Sequence, residues 1–227
     1  MTTHTYHPEQ PTVPARQTRE AVLGGGTTAE ALIGLAAVAL AILGIVGVVP
    51  FYMTAIGVIC AGAALYIEGV ASTSASSTVT ESTGEYTEQI EMSGGFAAQT
   101  LGGAAGIVLG VLALLGIAPS TLLPVAVLVM GSTLLVGGPA RAHSNAAALE
   151  HSATASASAR RIAAPALRST TGILSLAGVG AVVLSILALT RAAPWGIVTL
   201  IGLLALGAAE LLGGSATLSR MAVTRAH

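Results

Sequence analysis

The stretch GAAGIVLGVLALLGIAPSTLLPVAVLVMGSTLLVGGPA, residues 103–140, holds two apolar runs that meet at Pro119 with no charge in the turn between them. Each run is about 18–21 residues long, which at 1.5 Å per residue matches the ~30 Å of bilayer hydrocarbon. The stretch therefore reads as a transmembrane helical hairpin. Composition agrees: 8% of the 227 residues are charged and 53% are hydrophobic, and the mean hydropathy is +0.83. A soluble domain carries about 25% charged residues.

The same hairpin occurs three times. Six apolar runs, Ala31–Val49, Phe51–Ala71, Leu101–Ala118, Ser120–Ala140, Ile173–Thr190 and Trp195–Gly214, pair around Pro50, Pro119 and Pro194. Aligned on these prolines, Gly34, Gly103 and Gly178 fall together, as do Leu40, Leu109 and Leu184, and Leu43, Leu112 and Leu187. Beyond the proline come GAALYIEGVA (62–71), GSTLLVGGPA (131–140) and GAAELLGGSA (207–216), the third needing one extra residue to align. Repetition of this kind outranks any single motif. The prediction is an all-α polytopic membrane protein with six transmembrane helices in three hairpins. Proline suits the first turn of each second helix, where its missing N–H is one that the helix end leaves unpaired. Phe51, Tyr52 and Trp195 sit beside the turns, where amphipathic rings favour the interface.

Residues 1–28 read as a polar tail, 29–71, 99–140 and 171–216 as hairpins, 72–98 and 141–170 as long loops, and 217–227 as a C-terminal tail. The Ala-rich segment Arg141 to Arg168 favours helix, whereas Ser72 to Gly84, rich in hydroxyl and β-branched residues, reads as looser. No cleavable signal peptide is recognisable, so the first helix is expected to act as an uncleaved anchor. Orientation follows from arginine. With the N-terminus inside, Arg16, Arg19, Arg141, Arg160, Arg161, Arg168, Arg220 and Arg225 are cytoplasmic and only Arg191 lies outside. The positive-inside rule then puts both termini and both long loops in the cytoplasm and the proline turns on the far side of a cell (inner) membrane. The exclusive use of Arg and Glu among charged residues points to a GC-rich, bacterial source.

Candidate functional residues are few. Glu68 and Glu210 lie 18 and 16 residues past their prolines, near the inner surface, and Glu30 opens the first run at similar depth. An intramembrane carboxylate is a candidate ion or proton site, although Glu30 aligns with Gln99 and Leu174, so the three acids form no symmetric ring. Gly102, Gly106 and Gly110, and likewise Ala205, Ala209 and Gly213, fall at spacing four on one helix face. Such small residues let helices approach closely, within the chain or between subunits. Glu81, Glu85, Glu88 and Glu91 mark one long loop and Arg160, Arg161 and Arg168 the other, a pairing suited to docking on each other or on a partner. No Walker loop, H-x-x-x-H pair, CxxC or G-x-S-x-G is present. His143 and His151 beside Glu150, and the Thr-Thr-His start, make no convincing metal site, and Cys60 is the lone cysteine. The expectation is a protein without catalytic site, metal or cofactor. With a net charge of −1 it has no reason to bind nucleic acid.

The segment LALLGIAPSTLLPVAVLVMGSTLLVGG, echoed by LAILGIVGVVPFYMTAIGVICAGAALYIEG, resembles the HdeD-like acid-resistance membrane proteins. Those are six-helix proteins of three hairpins, each with a glycine-rich first helix, a proline turn and a second helix ending in G-x-x-L-L-x-x-G. The resemblance covers the six helices and not the long loops. Here the cytoplasmic connections are longer, and Arg191 stands where the other turns have Gly47 and Gly116. It implies a stress-linked integral membrane protein with no catalytic residues to carry over. The expected function is thus structural, with self-association in the bilayer and cytoplasmic loops presented to partners. The alternatives are a channel or proton-coupled transporter using Glu210 and Glu68, and an accessory membrane subunit of a larger enzyme complex.

Overall fold

A computed structural model describes residues 29, 31–76, 86–151 and 157–225 of the backbone, and the side chains of 29, 31–70, 95, 97–137 and 172–212. The described residues form six helices: α1 (Ala31–Ile45), α2 (Pro50–Ser76), α3 (Tyr86–Leu114), α4 (Pro119–His151), α5 (Ala157–Leu189) and α6 (Trp195–Arg225). Five carry apolar segments long enough to cross a bilayer, Pro50–Val70, Ala97–Leu114, Pro119–Gly137, Gly172–Leu189 and Trp195–Leu212. The chain is an integral, multi-pass, all-helical membrane protein. The described part of α1 has the same apolar character but spans only ~22 Å at 1.5 Å per residue.

The first helix of each hairpin ends sooner than its apolar run. Hydrophobicity continues through Val49, Ala118 and Thr190, but the helices stop at Ile45, Leu114 and Leu189. Backbone chirality stops them. Gly47 and Gly116 turn left-handed, with φ of 97° and 83°, and Arg191 does so at 56°. Each turn is closed by the same pair of hydrogen bonds: the amides of Gly47 and Val48 donate to Gly44 and Leu43, those of Gly116 and Ile117 to Ala113 and Leu112, and those of Arg191 and Ala192 to Ala188 and Leu187. This is the Schellman arrangement, which pairs carbonyls that a helix end leaves unsatisfied. Pro50 and Pro119 then open α2 and α4, as expected. Pro194 differs: α6 opens at Trp195, and the Pro194 carbonyl accepts from the Val198 amide as the residue flanking the helix. The extra residue in the third hairpin is accommodated in this turn.

At the other end the helices outrun the apolar segments. α4 continues to His151 and α5 begins at Ala157, so most of the segment read as a loop between residues 141 and 170 is helix. α3 likewise begins at Tyr86, inside the 72–98 segment. Alanine, the best helix former, is frequent in the extensions of α4 and α5.

Packing separates the helices into two shells. α2, α4 and α6 contact one another, while among the described residues α3 and α5 do not touch. Half of the spanning segment is buried in each of α2, α4 and α6, against 33% in α3 and 28% in α5. The second helices of the hairpins therefore form the centre, filled by Val58, Leu65, Leu123, Val127, Met130, Leu134, Leu203 and Leu206. Each first helix lies outside, wedged between two second helices. α1 packs antiparallel to α6, with Gly34 against Leu211, Val38 against Gly207 and Gly44 against Leu200, and this contact closes the hairpins into a ring. The outward faces carry Leu32, Leu101, Val108, Leu176 and Val179 into lipid.

Candidate functional site

The site is built on the three seams between neighbouring hairpins. At each seam a glycine of a first helix meets a glycine of the preceding second helix. A Cβ on Gly34 would lie 2.9 Å from the Leu211 amide nitrogen and 3.2 Å from the Gly207 oxygen. One on Gly103 would lie 2.5 Å from the Tyr66 nitrogen and 2.6 Å from the Gly62 oxygen, and one on Gly178 2.9 Å from the Gly131 oxygen. Backbones at such distance leave no room for any side chain, which is the physical use of small residues in a membrane interface. Gly62 and Gly131 lie twelve residues past their prolines and Gly207 thirteen, the extra one arising in the third turn.

Three residues beyond each of these second-helix glycines stands a fully buried side chain. Two of the three are Leu65 and Leu134, and the third is Glu210, 1% exposed with both carboxylate oxygens buried. A Cβ on Gly34 would lie 3.1 Å from Glu210 Cβ, so this carboxylate is seated in the α1/α6 seam. Cys60 of α2, half-buried, is within electrostatic reach of it. Glu210 lies sixteen residues past Pro194, ~24 Å from the proline turn at 1.5 Å per residue. Glu68 is half-buried near the same end of α2. Glu30 lies outside the described residues. Of the two candidate acids that are described, the structure sets Glu210 in the core.

Several hydroxyls of the spans are bonded locally. The hydroxyls of Thr54, Ser132, Ser185 and Thr199 donate to the carbonyls of Pro50, Leu128, Ala181 and Trp195, one helical turn back, and Thr133 donates to Met130 at 2.7 Å. Such back-bonding satisfies the group inside its own helix. Gln99 is buried against Gly137 of α4.

The small-residue face of α3 is occupied by the chain itself. Gly102 receives the Thr133 methyl and Gly106 the Met130 sulfur, both from α4, while Gly110 receives Ile59 of α2. On α6, Ala209 is buried and Ala205 half-buried; of Gly213 only the backbone is described. The α6 glycine that meets α1 is instead Gly207, 3.1 Å from Val38 at its Cβ position, which the spacing-four pattern passes over. Its signal is present in the aligned strings GAAL, GSTL and GAAE, whose first letter is the seam glycine and whose fourth is the buried side chain. Cys60 had no comparable signal, because its proximity to Glu210 depends on α2 and α6 being neighbours. Of the loop residues, Glu88 lies on the α3 extension and Arg160, Arg161 and Arg168 on that of α5, while Glu81 and Glu85 fall outside the described residues. Among the described residues, no group of three or more His, Cys, Asp or Glu side chains could hold a metal ion. Comparison with protein-family models, with curated proteins and with solved structures finds no match to this chain.

Proposed function

We propose that this is a non-enzymatic structural protein of a bacterial inner membrane, stress-linked as its resemblance implies, which self-associates in the bilayer and offers its cytoplasmic helical extensions to protein partners. One observation carries the reading. The centre of the helix bundle is filled by aliphatic side chains from α2, α4 and α6 and, among the described residues, has no charge at mid-depth. Transport sites near the midplane use broken helices and convergent polar groups. Here the mid-span hydroxyls bond their own helices. Intact-mass measurement after gentle extraction is expected to find particles larger than one chain, and a protein that is always monomeric removes the self-association. Eight of nine arginines on one side support cytoplasmic termini. A cysteine placed in the 115–118 turn should accordingly react with an impermeant maleimide on intact cells.

The burial of Glu210 favours a second reading, a proton-coupled or ion-conducting protein centred on Glu210 and Glu68. Flux in liposomes separates the two. The structural reading expects no ion or proton leak above that of protein-free vesicles. A leak present in the wild type and abolished by Glu210→Gln establishes the other.

A further inference from the structure

In each proline turn a left-handed residue closes the cap of the first helix. Gly47 and Gly116 do so in the first two turns, and Arg191, with φ of 56°, in the third. A side chain in that conformation is strained where glycine is not, and strain at such a residue points to a constraint other than folding. Packing does not call for the arginine, because Arg191 is exposed. Nor does the turn, which closes in the same way with glycine at the two equivalent places. What arginine adds is a fixed positive charge and a planar fork of N–H donors.

That charge has no counterpart in the sequence at this end of the bundle. The acid nearest in sequence to any of the three prolines is Glu210, sixteen residues past Pro194, or ~24 Å along the helix. Exposed charges interact over only about 8–10 Å at physiological salt. No charged residue lies between Glu30 and Glu68 or between Glu91 and Arg141, so the other two turns are neutral. Depth decides what can pair with Arg191. It follows the apolar span of α5, which ends at Leu189, by two residues, and precedes that of α6, which opens at Trp195, by four. This is the edge of the hydrocarbon, where the headgroup layer begins.

A guanidinium matches a phosphate with two parallel N–H···O bonds. In a zwitterionic lipid the headgroup's own ammonium competes for that phosphate, and in an anionic lipid such as phosphatidylglycerol it does not. We propose that Arg191 binds the phosphate of an anionic phospholipid in the leaflet that meets the proline turns. Of the three turns only this one carries the charge, so the lipid is held at one hairpin of the three. The site is the same whichever leaflet faces the cytoplasm, and it is independent of the structural reading above.

Trp195, the single tryptophan of the chain, stands four residues from Arg191 and is half-buried, so it reports on the lipid beside it. Its fluorescence is measured on the full-length protein in vesicles of equal parts phosphatidylcholine and phosphatidylglycerol, with bromine high on the acyl chains of one lipid or the other. Bromine quenches only a ring close to it. The expected result is phosphatidylglycerol enriched about fivefold over phosphatidylcholine beside Trp195, the gain of one arginine at an anionic headgroup. The enrichment falls toward unity in 1 M salt. Arg191→Gln, which keeps a side chain in the turn, and Arg191→Gly, which restores the residue of the other turns, both abolish it. Arg191→Lys, which keeps the charge, retains an enrichment above unity. Equal quenching by the two lipids in the wild type, an enrichment that survives Arg191→Gln, or one that is lost in Arg191→Lys overturns the proposal.

Discussion

At position 191 an arginine holds the left-handed backbone that Gly47 and Gly116 hold in the other two turns. A side chain there pushes Cβ toward the following carbonyl, a strain of about 1–2 kcal/mol that glycine does not bear. Arg191→Gly is therefore expected to stabilise the protein by about 1 kcal/mol, read as a higher thermal midpoint in detergent. Gly116→Ala should lower stability by a similar ~1 kcal/mol, although a Cβ there meets nothing within 4 Å. The seam glycines obey a different constraint, that of space. Gly103→Ala puts a Cβ against Tyr66 and Gly62 backbone, which cannot turn aside as a flexible side chain does, and should cost about 2–3 kcal/mol or disrupt the α3/α2 pair. Gly180→Ala, facing open space on α5, should be neutral or stabilising by up to ~1 kcal/mol. Thermal unfolding of the two variants side by side checks the contrast. In sequence the glycines among them are alike, each one of 28 in a chain of 227 residues. The alignment on proline singled out Arg191, Gly34, Gly103 and Gly178, but their chirality and neighbours belong to the folded backbone.

Among the elements, the hairpin is the unit that local chemistry explains. The proline that opens the next helix was legible at Pro50 and Pro119 and displaced at Pro194, whereas the Schellman caps before it appear only in the folded backbone. The ends of the helices were less legible. Apolar runs mark where a helix meets lipid, not where it stops, so α1, α3 and α5 ended early at their caps and α4 ran on past its apolar segment to His151. Polar groups inside the spans follow the same local rule. The Ser185 hydroxyl is buried and donates to Ala181 at 2.7 Å, so Ser185→Ala removes a bond within one helix and leaves no partner on another helix stranded. Its expected cost in thermal unfolding is below about 1 kcal/mol. Met130→Ala, by contrast, empties the notch that Gly106 leaves between α3 and α4, and should cost about 2–5 kcal/mol.

In the whole molecule the three hairpins meet through helix faces, and α1 meets α6 with no connecting segment at all. Two co-expressed pieces, residues 1–80 and 81–227, should therefore assemble and co-purify through a tag on one of them. Failure to associate would mean that the covalent link, and not the seams, holds the bundle together. At this scale Glu210 changes meaning. By its place in the sequence it is one of three acids at the ends of apolar runs away from the proline turns. By packing it is the acid seated where the other hairpins bury Leu65 and Leu134. That the apolar runs would be helices crossing lipid was decided by the sequence alone, because hydrocarbon offers a backbone no partner and each span must satisfy its own N–H and C=O groups. Which helices became the centre, which glycine faced which carbonyl, and where Glu210 came to rest were decided only in the tertiary structure. Lipid is as apolar as leucine, so hydrophobicity cannot choose among helix neighbours, and the choice falls to the close fit of small residues against backbone.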